Sequence, residues 1–143
     1  MTGQNSDSSI IKALREKGYK ATPQRIAISR FALHNHNHPT AEITFMEVKK
    51  IHPTVSLATI YKTIKILKEI GLIQELNLPE DQTRFDPNME PHIHLVCSRC
   101  KCIRDWTDPL ISEIIEKISD KEGFVPETQN FDVFGICRNC NGR

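Results

Sequence analysis

No stretch of this chain stays apolar for the roughly 18 residues that a bilayer-spanning helix needs. A membrane protein is therefore not expected. The first nine residues, MTGQNSDSS, lack the basic start and apolar core of a secretory leader, so a cytoplasmic location is expected. There is no internal repeat, low-complexity tract or Gly-rich phosphate loop, and no His-x-Glu with Pro-Cys-x-x-Cys of the kind zinc deaminases carry. With no separate catalytic carboxylate or nucleophile set, neither an enzyme nor a small organic substrate is expected. A metalloenzyme built on His92 and His94 is the remote alternative. A large net charge is missing too, the total being +1.

That near-neutral total conceals an asymmetry. Residues 1–80 carry 11 Lys/Arg against 7 Asp/Glu, and residues 81–143 carry 8 against 11. All five cysteines fall in the acidic part. A basic half joined to an acidic, cysteine-bearing half suggests a nucleic-acid-facing domain and a second domain with another task. In a chain of 143 residues both would be small, and stabilisation by a metal or a partner chain is expected.

The pattern of residues 8–71 is helical. SSIIKALREKG has Ser8 or Ser9 as N-cap and Gly18 as terminator, and ATPQRIAISRF has Thr22 as N-cap with Pro23 at the first helical position. A third helix starts after Thr40 and is stopped by Pro53, and a fourth follows Ser56, with Ile60, Ile64, Leu67 and Ile70 at helical spacing and Gly71 at its end. The period then shortens to about two: LIQELNL and QTRFD flank the turn residues PED as a β-hairpin. Helices followed by a hairpin describe a winged helix-turn-helix over residues 1–85. Residues 86–143 read as a small α+β domain, with strands in HIHLVC, CIRDW and NFDVFGIC and a helix capped by Asp108. The fold class expected is α+β.

Cys97 and Cys100 form CSRC and Cys137 and Cys140 form CRNC, with 36 residues between the pairs. Two such knuckles supply the tetrahedral thiolate set of a structural Zn²⁺, which cross-links a small domain and has no open position for chemistry. A thioredoxin-like redox pair would not need the second knuckle. Cys102 is the odd thiol, either a replacement ligand, a regulatory target or a small edge residue. His92 and His94, one residue apart on a strand, share a face. With Asp86 before them and Asp105 on the neighbouring strand they make a nitrogen and oxygen set suited to Fe²⁺ or Mn²⁺. The bland alternative is a pair of polar residues on an exposed strand.

TPQR, HPTAEI, SLATIYKTIKILKEIGLI, RFD, HIHLVCSRC, IRDW and GICRNC, in this order and over nearly the whole chain, resemble the ferric uptake regulator (Fur) family, and within it the peroxide-sensing PerR branch. The resemblance implies a metal-dependent repressor that binds a double-stranded DNA operator as a homodimer. It implies structural zinc at Cys97, Cys100, Cys137 and Cys140, and a regulatory Fe²⁺ or Mn²⁺ site from His38, Asp86, His92, His94 and Asp105. His34 and His36 are the alternatives to His38 within HNHNHP. The Asp at 105, where iron-sensing members usually carry Glu, favours peroxide sensing by iron-driven oxidation of His38 or His92. An iron-responsive repressor on the same fold is the nearer alternative. Lys101 and Cys102 depart from the family pattern, which has Gly after the first C-x-x-C and no third cysteine. Arg25, Lys62 and Lys65 are expected on phosphates, and Thr59 and Tyr61 at base edges.

Overall fold

The computed structural model describes residues 6–78 and 83–142, and these divide into two compact units, Met1–Met89 and Glu90–Arg143. Asp86, placed on the far side of the expected 85/86 boundary, belongs to the first unit. Among the described residues no helix is long and apolar enough to cross a membrane.

The first unit has four helices and a hairpin: α1 (Asp7–Glu16), α2 (Pro23–His34), α3 (Ala41–Lys49), α4 (Leu57–Glu69), β1 (Gln74–Asn77) and β2 (Thr83–Asp86). Three of the helices begin at the caps expected of them. The hydroxyls of Thr22, Thr40 and Ser56 accept from the N–H groups of Arg25, Ile43 and Thr59. The first helix differs. Its cap is Ser6, which accepts from Ser9 N–H, and the added turn brings Asp7 to the positive helix end, where Arg30 of α2 grips both its oxygens at 2.9 and 2.6 Å. The third helix ends at Lys49, before Pro53 is reached. Ile10, Leu14, Ile28, Ile60, Ile64, Leu67, Ile73 and Phe85 form the core of this unit, so the spacing of the α4 stripe is what seats that helix. The strands pair antiparallel from Gln74↔Asp86 to Asn77↔Thr83; the PED turn between them lies outside the described residues.

The second unit has β3 (Ile93–Cys97), β4 (Ile103–Trp106), α5 (Pro109–Glu122) and β5 (Phe131–Gly135), with strand order β4-β3-β5. The β3–β4 pair is antiparallel and the β3–β5 pair parallel. Because β4 runs back along β3, the chain reaches β5 from the end at which β3 begins, and α5 lies in the connection that carries it to the other side of β3. Asp108 caps that helix, Pro109 opens it, and Gly123 closes it at φ 60, a conformation that favours glycine. Only Ile111 of α5 is buried; Leu110, Ile114 and Ile118 are exposed.

Candidate metal centres

The four cysteines of the two knuckles converge. Their sulfurs lie within 4.8 Å of one another, and Cys100 and Cys137 Sγ are 3.7 Å apart, close to the ~3.8 Å that tetrahedral Zn–S bonds impose. The knuckles are closed by their own backbones, Lys101 N–H donating to Cys97 O at 3.0 Å and Cys140 N–H to Cys137 O at 3.1 Å. Cys137 N–H also points at Cys97 Sγ, 3.4 Å away. That donor and the N–H of Cys100 hold the Cys97 thiol down to about 5. The N–H of Cys140 likewise lowers Cys137. Cys140 is pushed up to about 12, chiefly by the Cys137 sulfur, and Cys102 to about 12 by Cys100. Sulfurs that compete in this way for protons suit a shared cation. Lys101 adopts φ 63, the left-handed conformation that the knuckle requires at this place.

His92, His94 and Asp105 form a second cluster, contained within the second unit. The two rings meet edge to face at 80° with centroids 4.5 Å apart. Their Nε2 atoms are 2.9 Å apart, and each lies 3.9 Å from Asp105 Oδ1. The sheet causes this, because His94 stands directly opposite Asp105 in the β3–β4 register, and opposite residues share a face. Each ring is anchored by its other nitrogen. Glu90 O lies 2.6 Å from His92 Nδ1 and Asp132 Oδ1 3.1 Å from His94 Nδ1. A carbonyl only accepts, and so does a carboxylate, so both Nδ1 atoms carry hydrogen. Neutral rings anchored in this way turn their Nε2 lone pairs on each other at 2.9 Å, which is repulsive unless a proton or a cation sits between them. The separation matches the ~3 Å between neighbouring ligands when metal–nitrogen bonds of about 2.1 Å meet near a right angle, as in octahedral coordination.

His38 and Asp86 form a pair within the first unit, Nε2 and Oδ2 being 3.5 Å apart, with both side chains buried. Here β2 does the positioning. Arg84 donates to His38 O at 3.2 Å and Phe85 N–H to Pro39 O at 3.0 Å, pinning the chain at His38, whose φ is 53. Asn88 N–H holds Asp86 Oδ1 at 2.9 Å, which leaves Oδ2 toward the imidazole. His34 and His36 are exposed; of the three histidines of HNHNHP, His38 is the one beside Asp86.

The residues expected at DNA fall on α4 and at the start of α2. Lys62 and Lys65 are exposed, and Thr59 hydrogen-bonds Ser56 Oγ at 2.9 Å beside the N-cap. Tyr61 is half-exposed and its hydroxyl donates to Glu42 Oε1 at 2.6 Å. Arg25 donates to Lys20 O at 2.7 Å, which ties the α1–α2 loop as well as presenting charge. Two contributions escaped the sequence reading. Glu42 tethers Tyr61 across 19 residues, and Asp132 meets His94 through a parallel strand pairing that no local pattern signals.

The ferric uptake regulator family profile matches residues 16–134. The chain belongs to the ferric uptake regulator family. Among relatives of this family, it is 33% identical over 133 residues to the peroxide-responsive repressor PerR of Staphylococcus aureus (strain USA300), covering 93% of this chain and 90% of that protein. The crystal structure of the Campylobacter jejuni peroxide stress regulator is 34% identical, with TM-score 0.75 over 92% of this chain and 98% of that one. The Helicobacter pylori ferric uptake regulator is 20% identical with TM-score 0.79, over 95% of this chain and 94% of that one, a likeness of fold.

Proposed function

We propose that the chain is a metal-dependent, DNA-binding repressor whose repression is relieved by peroxide. The observation that carries this reading is the pair of Nε2 atoms 2.9 Å apart, belonging to two rings whose Nδ1 hydrogens are already committed to oxygens. Such a pair is built for a cation, and Asp105 supplies a carboxylate to it. Nitrogen and oxygen donors without thiolate favour Fe²⁺ or Mn²⁺, whereas the four cysteines favour Zn²⁺. The residue-by-residue correspondence with the family's motifs supports His38 and Asp86 as the remaining donors of the same regulatory ion. The likeness to peroxide-responsive relatives supports peroxide as the signal.

Iron held there would supply the reactivity with peroxide that oxidises an imidazole ligand, one oxygen of H2O2 passing to a ring carbon and the other leaving as water, so that the two-electron oxidation of the ring matches the two-electron reduction of peroxide. His38 and His92 are the proposed targets, and loss of either donor lowers the affinity that holds the DNA-competent form. A hundredfold preference of the ion for that form corresponds to about 2.7 kcal/mol. Arg25, Lys62 and Lys65 face phosphates in this proposal, and Thr59 and Tyr61 face base edges. The exposed Leu110, Ile114 and Ile118 of α5 support a homodimer, because a contiguous apolar face of this kind is costly in water.

Metal stoichiometry tests the site. The purified protein should hold one zinc and bind one Mn²⁺ per chain, and His94→Ala should lose the manganese while keeping the zinc. Manganese binding that survives in His94→Ala would overturn the assignment.

A further inference from the structure

Asp132 is absent from the donor set proposed above, yet the sheet delivers it to the same place. Parallel pairing of β3 with β5 sets His94 opposite Asp132, and antiparallel pairing of β3 with β4 sets it opposite Asp105. One row across three strands therefore reads carboxylate, imidazole, carboxylate on a single face. The two aspartates address opposite edges of the ring, Asp105 Oδ1 lying 3.9 Å from Nε2 and Asp132 Oδ1 3.1 Å from Nδ1. Asp132 is in turn held in place, since Asn130 Nδ2 donates to its Oδ2 at 3.1 Å, and its side chain is only 15% exposed.

We propose that Asp132 is a positioning residue for the regulatory metal site, locking His94 in the Nδ1–H tautomer and making its Nε2 the stronger of the two imidazole donors. The contrast with His92 carries the second half of the claim. His92 Nδ1–H rests on a neutral carbonyl, that of Glu90, whereas His94 rests on a carboxylate. A negative acceptor draws the Nδ1 proton toward itself and leaves more electron density at Nε2, as carboxylate partners do for metal-bound histidines elsewhere. It also explains why a charged residue occupies the middle of a sheet row whose neighbours on β5 are Phe131 and Val133.

This inference rests on the reading of His94 as a metal ligand, so its test has one arm that needs no second metal. In full-length, zinc-containing protein without added Mn²⁺, long-range ¹⁵N–¹H spectra of the histidine rings should show His94 protonated at Nδ1. Asp132→Asn, whose amide oxygen still accepts, should keep that tautomer, and Asp132→Ala should lose it. Mn²⁺ titration of the same proteins should show affinity about 10- to 100-fold weaker for Asp132→Ala, with Asp132→Asn between it and the wild type. Zinc content serves as the check that each variant is folded. A His94 ring protonated at Nε2 in the wild type, or equal Mn²⁺ affinity of Asp132→Ala and the wild type, would overturn the role of Asp132. A wild type that binds no Mn²⁺ overturns the metal reading itself, while the tautomer spectra still decide whether Asp132 fixes the ring.

Discussion

His38 Nε2 faces Asp86 Oδ2 at 3.5 Å, and it does so from a backbone conformation, φ 53, that non-glycine residues seldom adopt. The contacts of Arg84 and Phe85 to the carbonyls of His38 and Pro39 over-determine that conformation, which costs of order 1–3 kcal/mol. A residue held under strain beside a buried carboxylate is positioned for something other than stability. His38→Ala should therefore abolish metal-dependent DNA binding while leaving the zinc content and the thermal midpoint close to those of the wild type. A metal response retained in this variant would shift attention to His34 or His36.

Lys101 shares that left-handed conformation, at φ 63, where the first knuckle turns back on Cys97. A glycine would meet no such penalty at this place, because it is the Cβ that disfavours the left-handed conformation. Replacing Lys101 by Gly should stabilise the protein by up to about 1 kcal/mol, the relief of backbone strain outweighing the greater freedom of glycine in the unfolded chain. Urea unfolding of the zinc-loaded protein measures it, and a destabilised variant would contradict this account of the knuckle.

The thiols give the zinc-stripped protein a pH profile of defined sign. Cys97 is held down to about 5 in the folded chain, against about 8.5 for an ordinary thiol. Between those values the unfolded state binds more protons, so this contribution is present above the ordinary thiol range and is lost as pH falls through about 5. Cys102 and Cys140 do the reverse. Raised to about 12, they keep protons that the unfolded chain releases, and their contribution is lost as pH rises toward that value. Stability of the zinc-free protein should peak between the two limbs, and Cys97→Ser should flatten the acid limb. Urea midpoints across pH read this directly.

On the DNA side, Lys62→Ala and Lys65→Ala should each make the slope of log affinity against log salt shallower by about 1.8 for the proposed homodimer, the loss of one phosphate contact from each protomer. Tyr61→Phe should leave that slope unchanged and alter the preference among operator sequences, since its hydroxyl is neutral and is held by Glu42 at 2.6 Å. Binding isotherms at several salt concentrations separate the two behaviours.

What could be read from the chain alone is what short-range chemistry determines. Thr22, Ser56 and Asp108 announce their helices because a cap acts over three residues, and the α4 stripe announces its buried face because its period is that of the helix. Ser6 was missed in favour of Ser8 or Ser9, because what settles the helix start is Arg30, 23 residues from Asp7. The two C-x-x-C pairs need no register to be recognised. Asp132 does need one: only the parallel pairing of β3 with β5 brings it to His94, and no local spacing encodes that. The choice of His38 among three neighbouring histidines likewise depends on a turn held by β2.

In the proposed function, iron bound among imidazoles and carboxylates couples peroxide to DNA release. Its most direct test is operator binding by protein loaded with Fe²⁺ or Mn²⁺, before and after a low dose of peroxide, with intact-mass measurement of each sample. The iron form alone should lose DNA and gain one oxygen atom on a peptide containing His38 or His92, with the manganese form unchanged. An iron form that keeps both its mass and its DNA would contradict it and favour an iron-responsive repressor.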